Sequence, residues 1–74
     1  FVEYESRGKP SGISKTKADY YCFVVSNDSF ILIKTQKLKD KCRRFLNTNL
    51  DLKGGDNNTS KGILLPLLQL LIDI

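Results

Sequence analysis

The chain has 74 residues and a net charge of +4, with twelve Lys and Arg residues against eight Asp and Glu residues. A chain this short forms one domain at most and buries only about 60% of the surface that it exposes when unfolded. It contains no histidine, which excludes His-ligated metal sites and His-based catalytic triads. Positive charge is concentrated between residues 7 and 44, where ten basic residues stand against three acids. This concentration favours a polyanion partner, although basic surfaces also occur for solubility alone.

A strand is predicted at the start of the chain, over residues 1–5. Because alternate side chains of a strand point to opposite faces, we expect Glu3 and Glu5 to share one face. A turn of small residues with two cations follows over residues 6–12. Two acids at a strand end beside such a turn can hold a metal ion next to a phosphate backbone. The simpler interpretation is a solvated strand face and an ordinary surface loop.

Two further strands are predicted in the next part of the chain. Ser14 or Thr16 can cap a short helical turn that precedes them. The strands cover Tyr20–Ser26 and Phe30–Lys34, and the short connection between them makes them antiparallel. Their nearly unbroken apolar runs predict strands that are covered on both faces.

A helix is predicted from Gln36 to about Asn47, with Thr35 as its N-cap. Its apolar positions have the spacing of one buried face. Another face carries a row of cations. A solvated surface is the default explanation of that row, and phosphate contact is the alternative. The apolar positions are Leu38, Cys42, Phe45 and Leu46, and the cations are Lys37, Lys41 and Arg44.

Residues 47–62 form a long polar segment that contains three of the five glycines. It lacks the spacing of a Walker phosphate loop and the closing glutamate of a calcium EF-hand. A loop of this length in a small domain is either functional or disordered.

An apolar helix is predicted from Pro66 to Ile74, since a proline needs no N–H at the first helical position. Its leucines and isoleucines cover nearly the whole circumference, so the helix must be buried on most sides. In so small a domain this predicts a partner subunit or a missing part of the same fold. No apolar run approaches the roughly 18 residues of a membrane span, and no signal peptide is visible.

The two cysteines, Cys22 and Cys42, match no zinc or thioredoxin spacing. Two buried free thiols of an intracellular protein is the favoured interpretation, and a single disulfide is the alternative. The sequence has no initiator Met and starts on strand-like residues. We therefore expect a fragment, a processed piece or a split-gene product.

The chain resembles the distal half of small phage and metagenomic nucleases of the PD-(D/E)xK superfamily. The resemblance is carried first by the strings ExESRGKPSGI at residues 3–13 and TxADYY at residues 16–21. A weaker block, KGGDNNTSxG at residues 53–62 with LPL at residues 65–67, is similar to their C-terminal part. Together these blocks span essentially the whole chain.

The resemblance implies a restriction-endonuclease-like fold that cuts DNA with Mg²⁺ or Mn²⁺ held by acidic residues. Such enzymes need an Asp on one strand and an acid-x-Lys on the next, and Glu5 stands where that lysine would be. The resemblance therefore places the usual acids upstream of this chain. Glu3 is then the first candidate for a catalytic acid that completes or supports the metal site, and Glu5 is the second.

The resemblance and the charge pattern together suggest a set of DNA contacts. Hydroxyl side chains would donate hydrogen bonds to DNA, although capping of the local backbone is their commoner role. The cationic candidates are Arg7, Lys9, Lys15, Lys17, Lys37, Lys41 and Arg44, and the hydroxyl candidates are Ser11, Ser14 and Thr16.

We expect one α/β (α+β) domain over residues 1–74, with a small mixed or antiparallel sheet and flanking helices. It would form part of a metal-dependent phage-type DNA endonuclease in the cytoplasm of a bacterial or phage-infected cell. The expected partners are DNA and either the upstream nuclease half or further copies of the chain, with no membrane.

Two alternatives stay open at this point. One is a non-catalytic nucleic-acid-binding or assembly module with a degenerate nuclease fold. The other is a structural subunit that oligomerises through its leucine-rich end. The sequence also leaves open whether the chain is itself an enzyme, because its set of metal-binding acids is incomplete.

Overall fold

The computed structural model describes residues 1–72, apart from the side chain of Asp56. It confirms a mixed α/β fold, with two antiparallel sheets and two helices over the described residues. The strands are β1 (Val2–Ser6), β2 (Lys9–Pro10), β3 (Tyr20–Ser26), β4 (Ser29–Lys34), β5 (Asp51–Gly54) and β6 (Ser60–Ile63), and the helices are α1 (Thr35–Arg43) and α2 (Leu67–Leu71).

The larger sheet has four strands in the order β2-β1-β6-β5. A tight turn joins β1 to β2, and its two central residues, Arg7 and Gly8, have φ angles of 53° and 77°. Positive φ at both positions is typical of the turn whose twist matches a hairpin. Strand β6 lies between β1 and β5 and pairs with both, so a late strand of the chain is hydrogen-bonded to the first strand.

A β-bulge interrupts β1 between Glu3 and Glu5. Glu3 lies opposite Gly62 and Glu5 lies opposite Lys61, and these two partners are consecutive residues of β6. Because directly opposite residues share a face and consecutive residues do not, the two glutamates point to opposite faces of the sheet. The expectation that they share one face is therefore wrong, and the extra residue that reverses the alternation is Tyr4.

The two predicted middle strands are confirmed as an antiparallel hairpin, in which Cys22 lies opposite Leu32. The hairpin is a separate two-stranded sheet. One of its faces packs on the core, where Ile33 is buried, and the other is open, with Val24 78% and Phe30 65% exposed. The prediction that both faces are covered is wrong, because residues 1–72 supply neighbours for one face only.

Helix α1 starts at Thr35, which is its first residue and not its N-cap. The Thr35 backbone N–H donates to the carbonyl oxygen of Asp19 at 2.9 Å. Its buried hydroxyl has no hydrogen-bond partner within the described part of the chain. The predicted apolar face is confirmed at Leu38 and Cys42, which are both buried. The helix is shorter than predicted, because the chain turns over residues 44–50.

The core joins both sheets to α1 through six buried apolar side chains. It has little volume, as expected for a chain of this length. Both cysteines are free thiols, as predicted. Cys42 belongs to the core, but Cys22 lies on the open face of the hairpin, so the prediction of a second buried thiol is wrong. The core residues are Val2, Ile13, Ile33, Leu38, Cys42 and Ile63.

The polar segment at residues 47–62 is ordered as strand β5, a short 3-10 turn and the start of β6. The expected long loop is therefore replaced by paired strands. After β6, Pro66 takes the N-cap position of the five-residue helix α2. The predicted continuation of this helix to Ile74 extends beyond the described residues. Within residues 1–72 no helix has the length and apolar character that crossing a bilayer requires.

Candidate nucleic-acid interface

The carboxylate of Glu3 is held by the segment that follows β2. The Ser11 hydroxyl donates a 2.8 Å hydrogen bond to Oε2 of Glu3. The Ser11 backbone N–H donates to the carbonyl oxygen of Tyr4, which keeps this segment against β1. Gly12 comes next with a φ of 50°, and a Cβ there would collide with the Glu3 carbonyl oxygen. Only glycine combines this conformation with so close an approach.

Glu5 lies on the other face, where its Oε2 is 3.7 Å from Nζ of Lys61. The bulge thus separates the two acids that the resemblance selects. Residues 1–72 contain no group of three or more His, Cys, Asp or Glu side chains that could hold a metal ion. Glu3 and Glu5 therefore do not form a shared metal site in this arrangement.

A third acid, Asp51, accepts hydrogen bonds within the larger sheet. The Tyr4 hydroxyl donates to Oδ1 of Asp51 at 2.6 Å, and the Asn47 backbone N–H donates to Oδ2 at 2.9 Å. The Asn47 and Tyr4 hydrogen bonds together hold the pKa of Asp51 below its ordinary value. The hydrogen bond to the Asp51 carboxylate, with some desolvation, raises the pKa of Tyr4 to about 12. Asp51 therefore connects β1 to β5, and both of its carboxylate oxygens accept hydrogen bonds.

A concave surface with several charged side chains lies between the segment before β3 and the start of α1. We call it the lysine groove. It has a volume of about 500 Å³ and contains three ammonium groups and one carboxylate. Its lining residues are Thr16, Lys17, Ala18, Asp19, Tyr20, Lys34, Thr35, Gln36 and Lys39.

Local contacts bring the two walls of the lysine groove together. Tyr20 pairs with Lys34 across the open end of the hairpin. The Thr35 N–H bonds to the preceding segment at Asp19, as described above. On that segment the Thr16 hydroxyl accepts the Ala18 backbone N–H at 3.1 Å. The groove is therefore a consequence of hairpin register and local hydrogen bonding.

The chemistry of the lysine groove suits a phosphodiester. Lys17, Lys34 and Lys39 supply positive charge, and only Asp19 opposes them within the lining. The first N–H groups of a helix also favour an anion, and α1 starts in this groove. Tyr20 is about half exposed at its edge, where an aromatic ring can stack on a base.

The structure brings together few of the residues that the sequence predicts as DNA contacts. Thr16 and Lys17 lie in the lysine groove. Ser14 lines a neighbouring cleft of about 310 Å³ between the larger sheet and α1, which it shares with Lys39. The remaining candidates lie outside both. Arg7, Lys9 and Lys15 are exposed on the β1–β2 hairpin and the loop that follows, and Ser11 is engaged with Glu3.

The predicted cationic row on α1 is not a single exposed surface. Lys37 and Arg44 are exposed, but Lys41 is only 5% exposed. The Lys41 ammonium donates a hydrogen bond to the carbonyl oxygen of Ile72, at the end of α2. In this arrangement Lys41 is engaged within the protein, so it does not belong to an exposed cationic row, and its contact with DNA stays a prediction.

Sequence reasoning missed Lys34, Lys39 and Tyr20 as members of a common site. The signal was present in the hairpin register, since a short turn after Ser26 places Tyr20 beside Lys34. Lys39 follows one helical turn into α1. Comparison of the chain with protein-family models, with curated proteins and with solved structures finds no match.

Proposed function

We propose that this chain is a DNA-binding module that contacts the phosphate backbone through the lysine groove. The observation that carries the proposal is the convergence of Lys17, Lys34 and Lys39 on one concave surface. The exposed ring of Tyr20 at the edge adds a stacking surface for a base, which favours single-stranded or locally opened DNA. The net charge of +4 supports association with a polyanion in general.

The size of the electrostatic effect follows from counterion release. Each phosphate neutralised lowers the slope of log K against log salt by about 0.9 on duplex DNA and about 0.7 on a single strand. Three groove lysines therefore correspond to a slope of about −2 to −3. Affinity should be modest at physiological salt and should rise steeply as salt is removed.

Fluorescence anisotropy with a labelled oligonucleotide, measured over a salt series, tests this proposal. The triple variant Lys17→Gln, Lys34→Gln, Lys39→Gln should bind at least about 10-fold more weakly, with a slope flatter by about 2. The matched control changes three lysines of the larger sheet to Gln, namely Lys9, Lys53 and Lys61. It loses the same net charge outside the groove, so its affinity should fall by less than about 3-fold. Equal losses in both triple variants would show that binding depends on net charge alone.

A second candidate function is a role within a metal-dependent nuclease of the bacterial or phage-infected cytoplasm, with Mg²⁺ or Mn²⁺ as cofactor. It is supported by Glu3, a half-buried carboxylate with a hydroxyl partner and no ion pair within residues 1–72. On this reading Glu3 supports a metal site whose other acids come from an upstream segment or a separate chain.

The test of this second candidate is a DNA cleavage assay with Mg²⁺ or Mn²⁺. We expect no cleavage by the 74-residue chain alone, and cleavage once the remaining acids are supplied by a joined or added polypeptide. Glu3→Ala should then abolish cleavage while leaving binding to the lysine groove intact. Full cleavage by the Glu3→Ala variant would remove Glu3 from the site.

A further inference from the structure

One face of the β3–β4 hairpin is apolar and uncovered. Because the strands are paired in register, side chains of both strands alternate between the core and this outer face. We call the outer set the hairpin face. Phe30 is 65% and Leu32 is 58% exposed there, although phenylalanine and leucine are among the residues most often buried in folded proteins. The hairpin face consists of Tyr20, Cys22, Val24, Phe30 and Leu32.

Exposed apolar side chains are also present on the neighbouring helix α2. A shallow groove lies between Tyr20 and Leu32 on one side and Leu70 and Leu71 on the other, and Lys34, Lys37 and Lys41 also line it. Leu71 is itself 62% exposed. Monomeric proteins rarely expose a contiguous apolar patch larger than a few hundred Å². A surface of this kind indicates an interface.

The positions of the charged residues on the hairpin indicate which partner covers the hairpin face. The sequence from Tyr20 to Lys34 contains only two charged residues, Asp28 and Lys34. Asp28 lies in the turn, where it accepts a hydrogen bond from the Ser26 hydroxyl, and Lys34 lies at the opposite, open end. Six strand residues separate them by about 20 Å. The hairpin face is thus neutral in its centre, with one charge of each sign at its ends.

We propose that a second copy of this chain covers the hairpin face, in a two-fold symmetric dimer with the hairpins packed face to face and their turns at opposite ends. In this arrangement Asp28 of each copy lies over Lys34 of the other copy, so the dimer competes with a phosphodiester for Lys34 and Tyr20 of the lysine groove. A two-fold interface uses the same patch on both subunits, so a neutral centre with complementary ends fits itself. Two chains of charge +4 repel each other overall, and a surface that is neutral in its centre adds least to that repulsion.

The area of the interface limits its strength. Two strands of this length cover roughly 20 by 10 Å, and the α2 leucines extend the patch. This is less than the roughly 800 Å² per partner of a standard stable interface. We therefore expect a dissociation constant on the order of 10 μM or weaker, because interfaces of standard size range from μM to pM. The dimer should form and dissociate over an accessible concentration range.

Analytical ultracentrifugation from about 1 to 300 μM measures the proposed equilibrium. The wild-type chain should shift from 8.4 kDa to twice that mass as concentration rises. Leu32→Lys should stay at the single-chain mass, because a charge would be buried in the interface. The matched control Leu52→Lys makes the same change on the edge strand β5 and should dimerise like the wild type. A single-chain mass for the wild type throughout, or unchanged association of Leu32→Lys, would overturn the proposal.

The orientation of the dimer has its own test by charge reversal. Asp28→Lys should weaken the dimer by about 10-fold, since two like charges then face each other at each end. Combining it with Lys34→Asp restores the opposite pairing and should recover most of the loss. Failure of this rescue, with association otherwise intact, would overturn the arrangement with opposed turns.

Cys22 provides a second measurement that needs no mutation. It lies near the centre of the hairpin face and is exposed in the single chain. Burial raises the pKa of the Cys42 thiol to about 11, so Cys42 stays largely unreactive in the folded protein at pH 8. Alkylation at pH 8 therefore reports Cys22 alone, and its rate should fall as concentration rises through the dimerisation range. A rate independent of concentration would contradict a dimer through this face.

Discussion

Tyr4 on β1 and Asp51 on β5 are 47 residues apart in sequence and are joined by a 2.6 Å hydrogen bond that crosses the intervening strand β6. The contact spans three of the four strands of the larger sheet, from β1 across β6 to the edge strand β5. Asn47 completes it by donating its backbone N–H to the second oxygen of the same carboxylate. The carboxylate therefore joins the sheet to the turn that follows α1.

Removing the Tyr4 hydroxyl should destabilise the fold. We expect Tyr4→Phe to lower the free energy of unfolding by about 1 kcal/mol, because the partner is a carboxylate but the contact is only partly buried. In a chain of this size that corresponds to a fall in Tm of about 4–8 °C. Urea denaturation or a thermal melt measures it. Tyr21→Phe is the control, since its hydroxyl has no partner within residues 1–72 and its removal should have a smaller effect.

The stabilisation from this pair should depend on pH at both extremes. The folded-state pKa of Asp51 is below its unfolded value of about 3.9, so its contribution is complete above that value. It is lost as pH falls through the folded-state pKa. The pKa of Tyr4 is raised to about 12 from 10.0, so its contribution is complete below pH 10 and is lost as pH rises towards 12.

This dependence is measured as the stability difference between wild type and Tyr4→Phe at a series of pH values. The difference should be constant from about pH 5 to 9 and should shrink below pH 4 and above pH 10. A difference that stays constant across the whole range would show that the two groups are not coupled.

Alanine substitution at two glycines that both have positive φ should lower the stability of the fold by different amounts. Gly8 and Gly12 both have positive φ, 77° and 50°, so both substitutions carry a conformational cost of about 1 kcal/mol. A Cβ at Gly8 meets nothing within 4 Å, whereas a Cβ at Gly12 collides with the backbone of Glu3. We expect Gly12→Ala to cost about 1–3 kcal/mol more than Gly8→Ala in denaturant unfolding. Equal costs would mean that the segment after β2 does not lie against β1.

Two lysines of α1, one turn apart, should have unequal effects on stability. Lys41 is buried and donates to the Ile72 carbonyl, whereas Lys37 is exposed. Lys41→Ala should lower the free energy of unfolding by about 1–3 kcal/mol, through loss of the hydrogen bond and of the packed stem. Lys37→Ala makes the same change in net charge at an exposed position and should cost at most about 1 kcal/mol, because contacts of an exposed ammonium are screened by water. If Lys37→Ala were the more damaging, the placement of the two side chains would be reversed.

Much of the local structure could be predicted from the sequence. The strands Tyr20–Ser26 and Ser29–Lys34 follow from two apolar runs and a short turn, because their contacts lie within fifteen residues. The same holds for the buried positions Leu38 and Cys42 of α1, which repeat with the period of a helix. Local propensity and periodicity are sufficient where partners are close in the chain.

The candidate site depended on contacts that the sequence could not fix. A single extra residue in β1 reversed the face of Glu5, and no local pattern distinguishes a bulged strand from a regular one. Lys41 has the spacing of an exposed row. Its side chain is nevertheless buried, and its ammonium donates a hydrogen bond to the carbonyl oxygen of Ile72, just after α2. Thr16 and Lys17 became part of the lysine groove only because Asp19 bonds to the start of α1.

The sequence by itself determined the α/β class, the antiparallel hairpin, the apolar stripe of α1 and the excess of positive charge. Only the tertiary structure decided that β6 lies between β1 and β5, and which side chains therefore meet. The physical reason is the two-residue period of a strand, in which a shift of one position moves every following side chain to the other face. Register between strands more than 40 residues apart is set by packing of the whole chain, and the placement of Glu3, Tyr4 and Glu5 depends on that register.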